Sequence, residues 1–317
     1  MRLTKKLVLS AIFVAMVPCS GYAHDPGNGN GSDDDHGYMG HKMDHSIVLA
    51  QLAAGEHYTT RIFLMNMGNS RRMPWSEEED LETRGTLYMF HQDGSPFPVK
   101  VNDGATSAQH SFTLGAGKGL SLALTSEGVD TPGWALIEID EDASSESSWG
   151  NMDDHQVRGG ERIYVSAFYS LRGGMGKLQS QVGVMPAMFQ REHFFTSIVA
   201  ATFDDSSSTG VALVNTSSDS ITVNLRLEDV DGKTVATDSL TLEAGNQKAV
   251  FIHEQFPDKV PVGYQGTLEV TSEGDGVIIQ GLLMSEGVLT SIPVHHFGSW
   301  NNDDMGGGDM GGMGSHN

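Results

Sequence analysis

The chain contains one β-rich module twice. Residues 110–124 read HSFTLGAGKGLSLAL, and residues 238–252 read DSLTLEAGNQKAVFI. In both segments apolar side chains alternate with polar ones before a glycine-containing break, which is the period of strands and not of helices. Ordered matches along the rest of the two copies predict a duplicated β module. The matched pairs are 61–66 with 210–215, 93–94 with 231–232, 116–117 with 244–245, 133–135 with 266–268, and 182–186 with 289–293.

The second copy shows the clearer strand pattern. Ile221, Val223 and Leu225 face one way while the polar residues between them face the other, so one side packs and one meets water. Asp231-Gly232 then predicts a tight hairpin turn, because glycine tolerates positive φ. We predict eight short strands and no long helix. These strands cover residues 197–203, 210–215, 221–230, 234–242, 248–256, 266–271, 277–284 and 289–294.

Residues 240–257 combine the pattern L-x-L-x-A-G, an apolar strand and HEQFP. Together with Asn215 and the closing residues 292–294, this segment resembles the immunoglobulin-like (Ig-like) β-sandwich repeats of secreted bacterial surface proteins. The resemblance implies a fold and an extracytoplasmic setting, not an activity. The expected fold is all-β: two tandem Ig-like antiparallel β-sandwich domains with disordered N- and C-terminal tails. The domains would cover residues 46–190 and 191–298, and the tails residues 24–45 and 299–317.

Residues 1–23 have the features of a secretory signal peptide. A basic start precedes an apolar run at residues 7–17, and Gly21-Tyr22-Ala23 forms a small-residue cleavage site. The apolar run is shorter than the roughly 20 residues that a membrane span needs, and no later segment approaches that length. We therefore expect export to the periplasm, the cell surface or the exterior, with no membrane span.

Cys19 is the only cysteine, and it lies within the expected signal. Lipid attachment at Cys19 is the alternative to cleavage after Ala23, although Pro18 beside the scissile bond is unfavourable. A chain cleaved after Ala23 has no thiol, which excludes disulfides, thiolate metal sites and cysteine nucleophiles.

The charge balance excludes some partners. The chain has 41 acidic and 19 basic residues and a formal net charge of −22. Such a chain repels phosphate backbones and anionic membranes and attracts cations. Nucleic acid is therefore not an expected partner, whereas metal ions are.

Both tails are rich in metal-binding side chains and poor in apolar ones. Imidazole and thioether groups bind copper or zinc, and flexible tails can wrap these groups around an ion at an ordering cost. Copper and zinc are the candidate ions, Ca²⁺ held by the aspartate runs is less favoured, and no cofactor is required. A solvated tail without metal is the alternative reading. The candidate ligands are His24, His36, Met39, His41, Met43, His45, Met305, Met310, Met313 and His316.

The first copy is longer than the second because of two polar, acidic insertions, at residues 71–83 and 141–161. Insertions in a sandwich form surface loops, which often carry specificity. Exposed tryptophans on such loops are candidate partner contacts, although they can equally cover the ends of the sandwich. The candidate partner-binding residues are Trp75, Trp149, Asp153, Asp154 and His155.

No motif of a hydrolase or zinc enzyme occurs, and the run Gly115-Ala116-Gly117-Lys118-Gly119 matches a strand-connecting turn of the second copy. We therefore expect a non-enzymatic binding, adhesion or surface-assembly module with an unknown protein or surface partner. The alternative is a periplasmic or extracellular copper- or zinc-binding protein. A copper-dependent oxidase or monooxygenase built on His24 is less favoured, because about twenty flexible residues follow it.

Self-assembly is a further expectation, because residues 46–52 (SIVLAQL) follow a flexible arm and could add a strand to a neighbouring subunit. The competing interpretation makes this segment an edge strand of its own first domain.

Secretion of the full chain should yield a protein that begins at His24. Intact-mass measurement and N-terminal sequencing of the secreted protein test this expectation. A chain that retains residues 1–23, or one acylated at Cys19, would contradict it.

Overall fold

The computed structural model describes residues 46–67, 82–140, 163–173, 176–188, 195–272, 274 and 276–298. Within these residues the chain forms 20 strands and one helical turn, which confirms the all-β class, and none of its helices could cross a membrane. The first half, residues 46–188, contains β1 (Ser46–Ala54), β2 (Tyr58–Asn66), β3 (Thr83–His91), β4 (Val99–Val101), β5 (Thr106–Ser107), β6 (Gln109–Leu114), β7 (Gly119–Thr125), β8 (Thr131–Ile139), β9 (Ile163–Arg172), β10 (Leu178–Val184) and β11 (Pro186–Met188). The second half, residues 195–298, contains β12 (Phe195–Phe203), β13 (Ser207–Asn215), β14 (Ile221–Asp229), β15 (Thr234–Leu242), β16 (Gln247–Phe251), α1 (Ile252–Gln255), β17 (Tyr264–Ser272), β18 (Val277–Ser285), β19 (Val288–Ile292) and β20 (Val294–Gly298).

The same strand order occurs in both halves. In the first half, sheet A1 has the order β11-β1-β8-β3-β6 and sheet B1 the order β10-β9-β2-β7-β4-β5. In the second half, sheet A2 has the order β20-β12-β17-β14-β15 and sheet B2 the order β19-β18-β13-β16. A2 and B2 are joined by a single residue pair, Phe203 with Ser208. Apart from β4 and β5, every strand of the first half has a counterpart in the second.

The repeat extends to buried hydrogen bonds. Asn66 ends β2 and Asn215 ends β13, and both are fully buried. Each side-chain Nδ2 donates to the carbonyl of the leucine that ends the opposing hairpin strand, Leu114 at 3.0 Å and Leu242 at 2.9 Å. A buried amide needs such partners, because an unpaired one costs free energy. The same corner therefore closes both sandwiches.

The pairing differs from the immunoglobulin order. In an immunoglobulin sandwich the first two strands are neighbours in one sheet. Here β1 and β2 lie in different sheets: β1 pairs with β8, β2 with β7 and β3 with β6. The Ig-like part of the expected fold is thus not confirmed. The expected boundary between residues 190 and 191 lies outside the described residues and stays a prediction.

Most of the predicted second-copy strands are found within three residues of their predicted ends. The exception is the strand predicted at residues 248–256, because α1 replaces its second part. The strand predicted at residues 289–294 is divided at Pro293 into the end of β19 and the start of β20, which continues to Gly298. The two Asp-Gly turns occur as expected, with φ of 77° at Gly94 and 76° at Gly232, values that a residue with a Cβ rarely adopts.

Four sheets stack in the order B1, A1, B2, A2. Side chains from A1 and B1, together with Ala212, Ala249 and Leu282 of B2, form one core, and those from A2 and B2 form a second. A third cluster joins the halves: Val48, Ala50 and Trp134 on the outer face of A1 pack against Val214 and Ile278 on the outer face of B2. Sheets A1 and B2 are therefore covered on both faces.

Buried hydrogen bonds lock this contact. The indole of Trp134 is fully buried, stacks on Phe90 at 4.3 Å between ring centroids, and donates to the Gly245 carbonyl at 2.9 Å. The side-chain Nε2 of Gln247 donates to Gln51 Oε1 at 2.8 Å. Directional bonds of this kind specify one arrangement of the halves, whereas apolar burial alone is non-directional.

Strand β1 shows the effect of double coverage, because all nine of its residues are buried. It lies between β8 and β11 rather than at an edge, and it pairs within its own half, as the intramolecular interpretation of residues 46–52 expected. Its sequence SIVLAQLAA is apolar except for Ser46 and Gln51, and a nearly continuous apolar sequence is typical of strands covered on both faces.

Replacing Trp134 with alanine should lower the free energy of unfolding by about 3–5 kcal/mol, because it empties a large buried volume and removes the bond to Gly245. Urea unfolding measures this change. The matched control is Thr267→Ala at the equivalent position of the second half, which is half-buried on an outer face and should change stability by at most about 0.5 kcal/mol. Equal effects of the two substitutions would show that the contact between the halves contributes little.

Candidate functional site

The N-terminal tail and both insertions join the first half at one end of its sandwich. Ser46, the first described residue, pairs with Glu138 near the end of β8. The register places Gly85 beside Ile139, so β3 begins where β8 ends. In the opposite sheet, β9 begins beside the end of β2. The three connections that distinguish the first copy therefore start from the same end.

A buried hydrogen bond ties the two sheets together at this end. Asn66 ends β2 in sheet B1, Thr83 begins β3 in sheet A1, and Asn66 Nδ2 donates to Thr83 Oγ1 at 3.1 Å. Both residues are buried. The two strands that the first insertion connects are therefore held together by this bond, and recognition residues are often carried by segments that a rigid scaffold holds at both ends.

The residues predicted for metal and partner binding lie outside the described residues. This applies to all ten tail ligands, from His24 to His316, and to the insertion residues Trp75, Trp149, Asp153, Asp154 and His155. Their roles stay predictions. Within the described ranges, no group of three or more His, Cys, Asp or Glu side chains is placed to hold a metal ion.

The opposite end of the first sandwich carries a pair that the sequence did not predict. Asp130 is 7% exposed and accepts two hydrogen bonds from His57, one from its backbone N–H at 2.7 Å and one from ring Nδ1 at 2.8 Å. Burial and the Asp130 charge together raise the pKa of the neighbouring Tyr58. The carboxylate thus orients an imidazole whose side chain is 47% exposed.

Such a pair can hold a base or a single metal ligand. No third ligand groups with it in the described part of the chain. Its geometry instead joins two connections, because His57 lies between β1 and β2 while Asp130 lies between β7 and β8. We interpret the pair as a structural clasp. Sequence analysis missed it because 73 residues separate the partners; the only signal is that the second copy has Ser206 and Gly263 at these positions.

A serine–histidine contact in the second half also lacks a catalytic arrangement. Ser208 is buried, and its Oγ lies 2.7 Å from His253 Nδ1. The imidazole lies beside the rings of Phe203 and Phe251, at centroid distances of 4.9 and 5.8 Å. A nucleophile needs an open approach for its substrate, which this packed position does not offer.

A groove of about 420 Å³ lies between the halves. Met185 and Ala187 line one side, and Gln280, Val294 and His296 line the other. The Met185 N–H donates to Gln280 Oε1 at 2.9 Å, so the two walls are bonded to each other. The groove has the size of a small ligand site, and the polar groups named here already bond within the protein.

Comparisons with known proteins do not assign the site. No family model matches the chain, and no curated protein matches its sequence. Among solved structures, procruciferin, an 11S globulin from Brassica napus, is 6% identical, with 78% of each chain covered and a TM-score of 0.20. Vicilin from Corylus avellana (hazelnut) is 9% identical, with 80% of this chain and 74% of that chain covered and a TM-score of 0.16. Likeness at this level carries no functional argument.

The clasp can be tested by a double-mutant cycle. Asp130→Asn and His57→Ala should each lower the free energy of unfolding by about 1–3 kcal/mol, because each removes a hydrogen bond to a charged group. The double variant should cost less than the sum, because both substitutions remove the same bond. Urea unfolding supplies the values, and Glu56→Ala, at an exposed neighbour, is the control. Additive effects would mean that the two side chains act independently.

Proposed function

We propose that the chain is an exported, non-enzymatic binding or surface-assembly module. The supporting observation is that the N-terminal tail and both insertions of the first copy start from one end of a sandwich. Segments that start together can act together on one partner, as loops at one end of a sandwich do in other binding proteins. In this proposal Trp75 and Trp149 provide apolar anchors, and Asp153, Asp154 and His155 provide polar contacts.

The rigid connection between the halves supports a presenting role. The contact around Trp134 and Gln247 is buried and hydrogen bonded, so the second half acts as a fixed base for the first. A fixed base lowers the cost of binding, since the two halves need not be ordered relative to each other when a partner binds.

A second candidate function is copper or zinc binding, and the same juxtaposition favours it. His41, Met43 and His45 directly precede β1 in the sequence, and β1 begins at the end of the sandwich from which the segment containing Met152 and His155 also starts. Ligands from two segments that start from the same end require less ordering than ligands spread along one flexible chain. Calcium binding and a copper oxidase built on His24 are less favoured, because neither depends on histidine and methionine side chains from two segments that start from the same end.

Segment replacement tests the partner-binding proposal. In one variant residues 68–81 are replaced by the second half's connector, residues 216–220, and in a matched variant residues 141–162 are replaced by residues 273–276. Both should keep the urea unfolding midpoint, because the equivalent connector spans the same frame, and both should lose a partner that the unaltered chain retains in a pull-down. Retention of the same partner by the variant with both replacements would exclude these loops as the binding surface.

Calorimetric titration tests metal binding. The chain from residue 24 should bind Cu²⁺ or Zn²⁺ saturably with a dissociation constant below about 100 μM. Removing residues 24–45 should weaken binding at least about tenfold, because it removes four of the five histidines in the two tails. Absence of saturable binding in the intact chain would reject the metal function and leave the partner-binding proposal standing.

A further inference from the structure

The outer face of sheet B1 exposes large apolar side chains. Phe63 is 39% exposed, Met65 45% and Tyr164 59%. Phe63 and Phe168 lie on neighbouring strands with ring centroids 5.8 Å apart. Soluble monomers rarely leave contiguous apolar patches of this kind uncovered, and such patches mark interaction sites. We call these four residues the B1 patch.

The repeat shows what the same positions do in the second half. Each residue of the B1 patch has an equivalent on sheet B2, which is found by aligning the strand registers: Asn66 pairs with Ile163 in the first half, and Asn215 pairs with Val277 in the second. The four equivalent residues on B2 are buried, and they pack in clusters with residues of the first half. The B1 patch thus has larger apolar residues at the positions that form the contact between the halves. The equivalents of Phe63, Met65, Tyr164 and Phe168 are Ala212, Val214, Ile278 and Leu282.

The other free outer face, on sheet A2, differs. Where A1 places Trp134, Leu136 and Phe90 in the contact between the halves, A2 has Thr267, Glu269 and Glu228. Arg226 bonds Glu269 across this face at 2.6 Å. A polar outer face of this kind ends a stack of repeats. One free face is therefore polar, whereas the other is apolar.

Charge also distinguishes the two free outer faces, because A2 carries Glu228 and Glu269. The four strands β2, β7, β9 and β10 contain no Asp or Glu. Their charged residues are Arg61 and Arg172. Two copies of this chain would repel each other over most surfaces, and this face is where they can approach without opposing carboxylates.

The size of the face is close to that of a small interface. The four strands are 7–10 residues long, and at about 4.8 Å between strands and about 3.3 Å per residue they span roughly 19 by 27 Å. This flat footprint of about 510 Å², with side-chain relief added, approaches the lower end of the roughly 600–1,000 Å² per partner of a specific interface.

We propose that the B1 patch is a dimer interface, which stacks on the B1 patch of a second copy about a two-fold axis. Head-to-tail stacking of B1 on A2 would bury the charged Arg226 and Glu269 against apolar side chains, which is unfavourable. A two-fold contact places the B1 patch of one copy against the B1 patch of the other, and the assembly then ends at two chains. Arg61 of one copy can then lie over the aromatic rings of the other, where its charge is attracted. This proposal uses no tail or insertion residue and is independent of the proposed function.

Sedimentation analysis of the chain from residue 24 tests the proposal. The chain should sediment as a dimer at concentrations of about 10–100 μM. Raising NaCl from about 50 to about 500 mM should tighten the dimer, because salt screens repulsion between the acidic chains. The variant Phe63→Ser with Tyr164→Ser should weaken dimerisation at least about tenfold, because exposed aromatic residues dominate such interfaces.

The matched control is Ile198→Ser with Ala200→Ser on the free A2 face, which should leave the dimer unchanged. Urea unfolding of both variants shows whether each remains folded, as expected for partly exposed positions. A monomeric chain at about 100 μM in high salt overturns the proposal and leaves a different protein as the occupant of the face. A dimer that survives the B1 substitutions also overturns it, because the contact then lies elsewhere.

Discussion

The contact around Trp134 is the interaction on which the arrangement of this protein depends. It buries the outer face of A1 against the outer face of B2 and turns two sandwiches into four stacked sheets. The indole hydrogen bond to Gly245 gives the contact a fixed geometry. Without it, β1, β13 and β18 would expose apolar faces to water, which is unfavourable in proportion to the area exposed.

The two copies show how one module acquires different surfaces. At one position on the A sheets, the first copy has Trp134, which is buried, and the second has Thr267, which is half-buried. At one position on the B sheets, the second copy has Ile278, which is buried, and the first has Tyr164, which is exposed. The inner cores and the Asn66 and Asn215 corners stay alike, because both sandwiches need them to close. Divergence is therefore concentrated on outer faces and connections, where it does not disturb the cores.

This division separates stability from function. Polar pairs such as His57–Asp130 and Ser208–His253 bond within the protein and hold connections in place, so the described part of the chain acts as a frame. The proposed binding roles belong instead to segments that start from the frame at one end, and to the exposed face of B1. A frame of this kind lets loops change without loss of the fold, since loop length has a small effect on stability.

Sequence patterns alone were sufficient for the all-β class, the repeat and most strands of the second half. The alternation of apolar and polar residues and the Asp-Gly turns specify these features, and both signals occur in each copy. The stacking of the halves, the clasp between His57 and Asp130 and the B1 patch required the folded chain, because their residues are far apart in sequence and no local period links them. Residues 46–52 of β1 were interpreted from the sequence as an edge strand or as a strand added to a neighbouring subunit, so the burial of β1 on both faces was not predicted. Long-range packing decided which surface covers the outer face of β1, because apolar burial is non-directional and does not select one contacting surface over another.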